Sequence, residues 1–243
     1  MTKTAVSSFD TPTPVGYARK KWFTAVKAIV RCFVKKPEFV FLGEAPGPGS
    51  IILSNHEGAS GPLTMELYSK LPVRFWGTYE MNTDFKTAYR YQTHIYYHQK
   101  KKWNLNLARL FCMLATPLTR MFYIGLDLIS SYGDVRLRNT FRQSIDVLKK
   151  NHTLVIFPEV SDNGYFKELT GFYPGASMMF EQCRRNGLNR PVYVAYLNKE
   201  SHKYIFDAPK SVNELLDEGL SRTALAEKLC NRCNELGKMQ LPV

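Results

Sequence analysis

The chain has 243 residues, 44% of them apolar and 22% charged, proportions that suit one sizeable α/β domain and exclude a disordered chain or a polytopic membrane protein. A formal charge of +12 draws it toward phosphate in some form: anionic lipid headgroups, a phosphorylated co-substrate or nucleic acid. Aromatic residues make up 13%, many beside lysine or arginine, which serves a membrane interface or single-stranded nucleic acid equally well.

Residues 1–18 read as a flexible polar leader, because Met1 to Pro14 lacks the basic-then-apolar layout of a signal peptide. Residues 19–36 form a basic amphipathic helix. Trp22, Phe23, Val26, Ile29, Val30 and Phe33 recur at helical spacing, Lys20, Lys27 and Arg31 fall on another face, and Pro37 ends the run. Two readings of this helix stand side by side: a membrane anchor lying in the bilayer plane, or a helix packed on its own domain with solvated lysines outside.

Residues 37–243 are expected to be a single domain. Short strands at Phe39–Leu42, Ser50–Ser54 and Val73–Trp76 alternate with a tight turn at Ala45–Gly49 and a helix over Pro62–Lys70. A long, largely helical segment from Tyr79 to Thr119 carries Lys100-Lys101-Lys102-Trp103. The apolar run Leu105–Ile129 is interrupted by Arg109, Pro117, Arg120 and Asp127, so a clean membrane span is not expected. Further strands are predicted at Leu126–Ile129, Thr153–Phe157, Val192–Leu197 and Tyr204–Phe206. Helices are predicted over Val135–Lys150 and Gly175–Asn186, with two more at the C-terminus. Such alternation predicts a mixed, mainly parallel sheet flanked by helices. The five cysteines are scattered and read as reduced thiols. Cys230 and Cys233 form a CxxC pair inside the helix Thr223–Leu236, with no second pair of ligands to complete a metal site.

The chemistry points to Ser54-Asn55-His56-Glu57-Gly58-Ala59-Ser60-Gly61-Pro62. A histidine leaving a buried strand into a loop of small residues sits where α/β folds place reactive groups. This segment resembles the first motif, N-H-x-x-x-x-D, of the glycerolipid acyltransferases, the family that includes the lysophosphatidic acid acyltransferases. Phe157-Pro158-Glu159 after the strand Leu154-Val155-Ile156 resembles that family's F-P-E-G-T-R-S block. Asp162 to Lys167 and Phe172 to Gly175 continue it, and Arg190-Pro191-Val192-Tyr193-Val194-Ala195-Tyr196 resembles its proline-led strand. Order and spacing agree over roughly Glu38 to Asn198.

The resemblance implies an O-acyltransferase of phospholipid and lipid metabolism, with the fold of glycerol-3-phosphate acyltransferases and a cytoplasmic location, peripheral on the membrane. His56 would act as general base on an acceptor hydroxyl attacking an acyl thioester. Acyl-CoA or acyl-carrier protein would be co-substrate, with no cofactor and no metal. Asn55, Gly61, Pro62, Phe157, Pro158 and Glu159 would shape the substrate pocket. Expected partners are the thioester donor, a lysolipid or other alcohol acceptor and an anionic membrane surface, with no nucleic acid.

Three departures accompany the resemblance. Gly61 stands where the motif has its aspartate, the carboxylate that orients the histidine. Glu57 and Glu66 are the nearest candidates to replace it, with Glu80, Asp84 and Asp127 within reach only through the fold. Val160-Ser161-Asp162 replaces Gly-Thr-Arg, and Ser131 stands where the second block has its arginine. Arg136, Arg138 or Arg142 are candidates for holding an acceptor phosphate in their place. Rival readings are a catalytically degenerate lipid-binding protein of the same fold and a basic nucleic-acid-binding protein, although no nucleic-acid-binding motif is present. His94 and His98, one helical turn apart, lack the glutamate and third ligand of a zinc site.

Overall fold

Ile51, Ile52 and Leu53 are all fully buried, but they divide between two separate apolar clusters, Ile51 and Leu53 in one and Ile52 in the other. That division is what a strand produces when both faces of its sheet are covered. In the computed structural model, which describes residues 18–240, this strand is β2 (Ile51–Ser54), near the middle of an eight-stranded sheet. The expected leader, residues 1–18, lies outside the described residues except for its last member.

The other strands are β1 (Glu38–Phe41), β3 (Val73–Thr78), β4 (Ile129–Ser131), β5 (Thr153–Ile156), β6 (Pro191–Asn198), β7 (Lys203–Phe206) and β8 (Lys210–Ser211). Their order is β1-β7-β6-β2-β5-β3-β4, with β8 paired to β6. All pairings are parallel except β6 with β7 and β6 with β8. The sheet is therefore mixed and mainly parallel, as the alternating pattern predicted.

Helix α1 (Lys21–Arg31) precedes β1, α2 (Ser60–Tyr68) joins β2 to β3, and α3 (Phe85–Arg90) and α4 (Leu105–Leu126) lie between β3 and β4. Phe23 of α1, Met65 of α2 and Leu126 of α4 join Ile52, Phe75, Val155 and Tyr204 in the core on one face. The opposite core is built from α5 (Leu137–Lys149), α6 (Gly175–Arg185), α7 (Val212–Asp217) and α8 (Arg222–Lys238). Phe141, Phe180, Leu215 and Leu229 are among their contributions. Cys230 and Cys233 are buried there as free thiols, the Cys233 sulfur donating to the Ala195 carbonyl at 3.3 Å.

The expected helix over Tyr79–Thr119 is divided. A 3-10 turn (Tyr79–Asn82), α3, a π-helical stretch (Tyr91–Lys100) and α4 replace it. The break before α4 has local causes: Lys102 takes a left-handed φ of 59°, and Asn104 caps α4 by accepting from the N–H groups of Asn106 and Leu107. His98 Nδ1 lies 2.8 Å from the Trp103 carbonyl across the same break. The helix then runs through Pro117 to Leu126. This moves the strand predicted at Leu126–Ile129 on to Ile129–Ser131, since Asp127 ends the helix at a left-handed φ of 49°. Despite Arg109, Pro117 and Arg120, α4 is continuous, and by length and composition alone it is long and apolar enough to cross a membrane.

α1 combines the two readings of its sequence in an unforeseen way. Phe23 enters the core against Gly125, where an added Cβ would lie 2.0 Å from the Phe23 ring. Beside it, basic side chains turn inward. Lys27 and Arg19 bind Glu66 at 2.8 and 2.7 Å, and Arg31 donates to the Leu67 carbonyl. Trp22, Ile29 and Phe33 are left exposed.

Candidate functional site

Parallel neighbours β2 and β5 run in register, Leu53 opposite Ile156, so the loops that follow them emerge side by side at the carboxyl edge of the sheet. This is where a crevice forms in open α/β sheets. Asn55 continues the edge of β2: its side-chain oxygen accepts from the Leu197 N–H at 2.7 Å, and its amide donates to the Leu197 carbonyl at 3.1 Å. The side chain thus takes the place of a ladder pair with β6 as the backbone turns away. Glu159 fastens the two loops together, its Oε2 accepting from the His56 backbone N–H at 2.8 Å. An antiparallel bridge to Phe172 holds Glu159 in turn.

Glu57 and Gly58 take left-handed φ values of 47° and 67°, and Gly61 N–H then closes on the His56 carbonyl at 3.1 Å. A non-glycine residue with positive φ stores strain, which concentrates at functional sites. Pro62, third residue of α2, needs no N–H partner in the first turn. Gly61 itself is packed too closely for any side chain. A Cβ there would stand 2.7 Å from the Asn55 carbonyl oxygen, 2.9 Å from that of His56 and 3.0 Å from the Phe157 ring.

The His56 imidazole lies against two aromatic rings. Tyr165 stacks on it with centroids 5.1 Å apart, and Phe157 meets it edge-on at 5.3 Å. Its Nδ1 is buried and has no hydrogen-bond partner among the described residues. Burial, reinforced by the ammonium groups of Lys100 and Lys101, drives the His56 pKa down to about 3. In the sequence those two lysines stand only as part of a basic run in a helical segment, not as part of the site. Lys100 Nζ donates to Ser161 Oγ at 2.8 Å and lies 5.7 Å from the Tyr165 ring centre, with Lys101 Nζ 5.6 Å from the same ring. Burial lowers the Lys100 pKa, against the opposing pull of Asp162 and Glu159. Glu159 is pushed up to about 7, chiefly by burial, although its bond to the His56 N–H works the other way.

The candidate carboxylates for orienting His56 are committed elsewhere. Glu66, on the buried side of α2, has its two oxygens taken by Arg19 and Lys27, because α1 lies across that face of the helix. Glu57, at a left-handed φ, pairs with Lys199 at 3.3 Å. Glu80 is held by Thr78, Asp84 caps α3 and Asp127 faces Arg74. The proposed arginines are also elsewhere. Arg136 is bound by Asp134 and lies beside the stacked rings of Tyr79 and Tyr132, 4.8 and 4.5 Å from their centres. Arg138 and Arg142 line a groove between α5 and α6, the helices of the opposite face.

The structure therefore brings together Asn55, His56, Gly61, Phe157 and Glu159 as the motifs suggested, with Pro62 in the first turn of α2 and Pro158 in the loop after β5. It adds Lys100, Lys101, Ser161, Tyr165 and Tyr96. The lysines arrive through the π-helix, whose end follows neither the 3.6 nor the 2.0 period, so residue spacing held no signal for them.

No protein-family model matches the sequence, and no curated protein does. Among solved structures the chain is similar to the 1-acyl-sn-glycerophosphate (LPA) acyltransferase PlsC of Thermotoga maritima. Identity is 14% and the TM-score 0.48, over 91% of this chain and 81% of that one. The case for function accordingly rests on the residues of the site.

Proposed function

We propose that the protein is an acyltransferase that moves an acyl group from a thioester donor, acyl-CoA or acyl-carrier protein, to the hydroxyl of an anionic lipid-like acceptor. The observation that carries this reading is the joining of Asn55-His56 to Phe157-Pro158-Glu159 at adjoining strand ends, with Glu159 holding the His56 backbone. In the reaction the acceptor oxygen attacks the thioester carbon while the His56 imidazole takes its proton. The new C–O bond forms, the C–S bond breaks, and the proton passes to the departing thiolate.

A base of pKa about 3 is weak; burial is the main cause, and the smaller contribution of two lysines suggests what the acceptor carries. Lys100 and Lys101 lower that pKa, so a phosphate or carboxylate bound to them would neutralise their effect and strengthen the base. The same pair would hold the acceptor in the role first given to Arg136 and Arg138. Among the described residues nothing fixes the imidazole tautomer through Nδ1, and loss of such orientation costs about four orders of magnitude in a serine protease. Slow turnover is expected.

That unpartnered Nδ1 also favours a second reading, a lipid-binding protein of this fold without turnover. Mass spectrometry of products from acyl-CoA and a panel of lysolipids and simple alcohols separates the two. Ester formation lost in His56→Ala supports the transferase. Ester formation unchanged in that variant removes His56 as base, and binding without ester in single-turnover mixtures establishes the second reading.

A further inference from the structure

An imidazole that works as a base must be held in one orientation, a task usually given to a hydrogen bond on its second nitrogen. His56 Nδ1 has no such partner among the described residues. The ring is confined all the same. Tyr165 lies along it with centroids 5.1 Å apart and planes 24° from parallel, and Phe157 meets it edge-to-face at 5.3 Å and 67°. Stacked and edge-to-face contacts at these separations are the favoured aromatic geometries.

Both confining rings are themselves fixed. Phe157 stacks on the buried Phe75 with centres 6.3 Å apart, and a Cβ on Gly61 would stand 3.0 Å from the Phe157 ring. The glycine found in place of the expected aspartate therefore makes room for a ring that touches the imidazole. A side chain at position 61 and Phe157 in this position compete for one space, so loss of the carboxylate and gain of the aromatic contact belong to a single arrangement.

Tyr165 is placed by its loop. Residues 161–170 connect the bridged residues Glu159 and Phe172, and the Val160 N–H donates to the Gly171 carbonyl at 2.9 Å. The loop turns at Gly164, whose N–H donates to the Ser161 carbonyl at 3.1 Å and whose φ of 114° is one that side chains rarely permit. A Cβ at Gly164 would also lie 3.2 Å from the Lys100 carbonyl, so the turn seats directly on the end of the π-helix. Beyond Tyr165, the Tyr196 hydroxyl donates to the Lys167 carbonyl at 2.7 Å, and Asn234 pairs with both backbone groups of Leu169 at 2.8 and 3.0 Å. The ammonium groups of Lys100 and Lys101, 5.7 and 5.6 Å from the Tyr165 ring centre, are within cation–π range. The loop is thus anchored on both sides of one half-buried tyrosine that rests on the base.

We infer that Tyr165 is the positioning residue of His56: its ring, with Phe157 beside it, takes over the orienting part of the role that an aspartate at position 61 would have filled. Stacking fixes the plane of the imidazole but neither selects its tautomer nor offsets the charge it gains, so the aspartate's other contributions stay unfilled. The inference rests on His56 acting as base, whereas the order of its ring is measurable without turnover.

Full-length protein carrying histidine labelled at Cε1 is compared by NMR relaxation with Tyr165→Phe, which keeps a ring, and Tyr165→Leu, which fills space without one. The His56 ring should be as ordered in Tyr165→Phe as in wild type and more mobile in Tyr165→Leu, while the exposed His202 is the same in all three. In the product assay Tyr165→Leu should lower kcat about tenfold with KM for the acceptor little altered, the loss of one aromatic pair, and Tyr165→Phe should retain wild-type turnover. A His56 ring equally ordered in Tyr165→Leu overturns the inference, as does mobility in Tyr165→Phe matching that of Tyr165→Leu. A ring already free in wild type overturns it with no variant needed, and so does mobility gained in Tyr165→Leu with kcat unchanged. Ring order lost in Tyr165→Leu when wild type forms no ester supports the placement and removes the acyl-transfer reading, which keeps the two failures distinct.

Discussion

Restoring the aspartate that the first motif lacks should damage the protein and not revive it. At Gly61 a Cβ would stand 2.7 and 2.9 Å from the carbonyl oxygens of Asn55 and His56. Neither carbonyl is free to retreat, since Asn55 is locked to Leu197 by two hydrogen bonds and the His56 N–H is held by Glu159. The Phe157 ring closes the third side at 3.0 Å. Overpacking of this kind costs about 1–3 kcal/mol. The helix-propensity gain of alanine over glycine returns at most ~1 kcal/mol, and less at the start of a helix. Gly61→Ala is therefore expected to lower Tm by a few degrees, at about 2–4 °C per kcal/mol for a domain of this size. Gly61→Asp should fall at least as far and form no more ester than the parent. Differential scanning calorimetry and the product assay read both outcomes. A Gly61→Ala protein melting at or above the parent temperature would refute the packing argument, and Gly61→Asp with faster turnover would show that the loop yields.

Glu66→Ala removes a buried partner from Arg19 and Lys27 and should cost about 3–5 kcal/mol, whereas Glu57→Ala breaks a partly solvated pair and should cost less than about 1 kcal/mol. Equal Tm values for the two variants would mean that α1 is not fastened through Glu66. The Glu159 pKa is raised from 4.5 to about 7, so the stability tied to it is fully present below 4.5 and lost as pH rises through 7. Glu159→Gln removes that loss, and its Tm relative to wild type should climb between pH 5 and 8; a flat difference would refute the shift. His56 has the opposite sign: its depressed pKa means stability present above about 6.5 and lost as pH falls toward 3. Its ring nitrogens, followed by NMR, should remain neutral to about pH 4, and Lys100→Gln with Lys101→Gln should move the titration upward. A wild-type midpoint near 6.5 would overturn the reading.

Strand and helix order was legible because β2, β5 and β6 are short, continuously apolar runs and α5 and α8 keep a helical period. The meeting of His56 with Glu159 was legible through motif order, which parallel neighbouring strands turn into proximity. Competing carboxylates were not. Glu66 has a plausible spacing from His56, yet its direction is set by α1, an element some forty residues upstream whose docking depends on Phe23 filling the space over Gly125. Lys100 and Lys101 were visible as charge but not as site, because a π-helix rotates them to a position no regular period predicts. The inward turn of the basic side chains of α1 was hidden for a related reason. An amphipathic pattern shows that two faces differ, and only packing shows which one meets the core.

The lysines tie the site to its ligand with a definite sign. In the free protein Lys100 and Lys101 act on His56 through a poorly solvated space, where the coupling between charges is stronger than in water. Any anion held between them, whether on a substrate or on a lipid headgroup, opposes that coupling and raises the pKa of the imidazole. Added salt screens the exposed Lys101 more than Lys100, which is half-buried against Ser161 and Tyr165, so it relieves only part of the coupling. The weakness of His56 as a base is set first by burial, which a bound anion leaves in place, and only the further lowering by the two lysines is open to relief. An assay lacking an anionic acceptor or an anionic lipid surface would measure the protein in its least reactive electrostatic state.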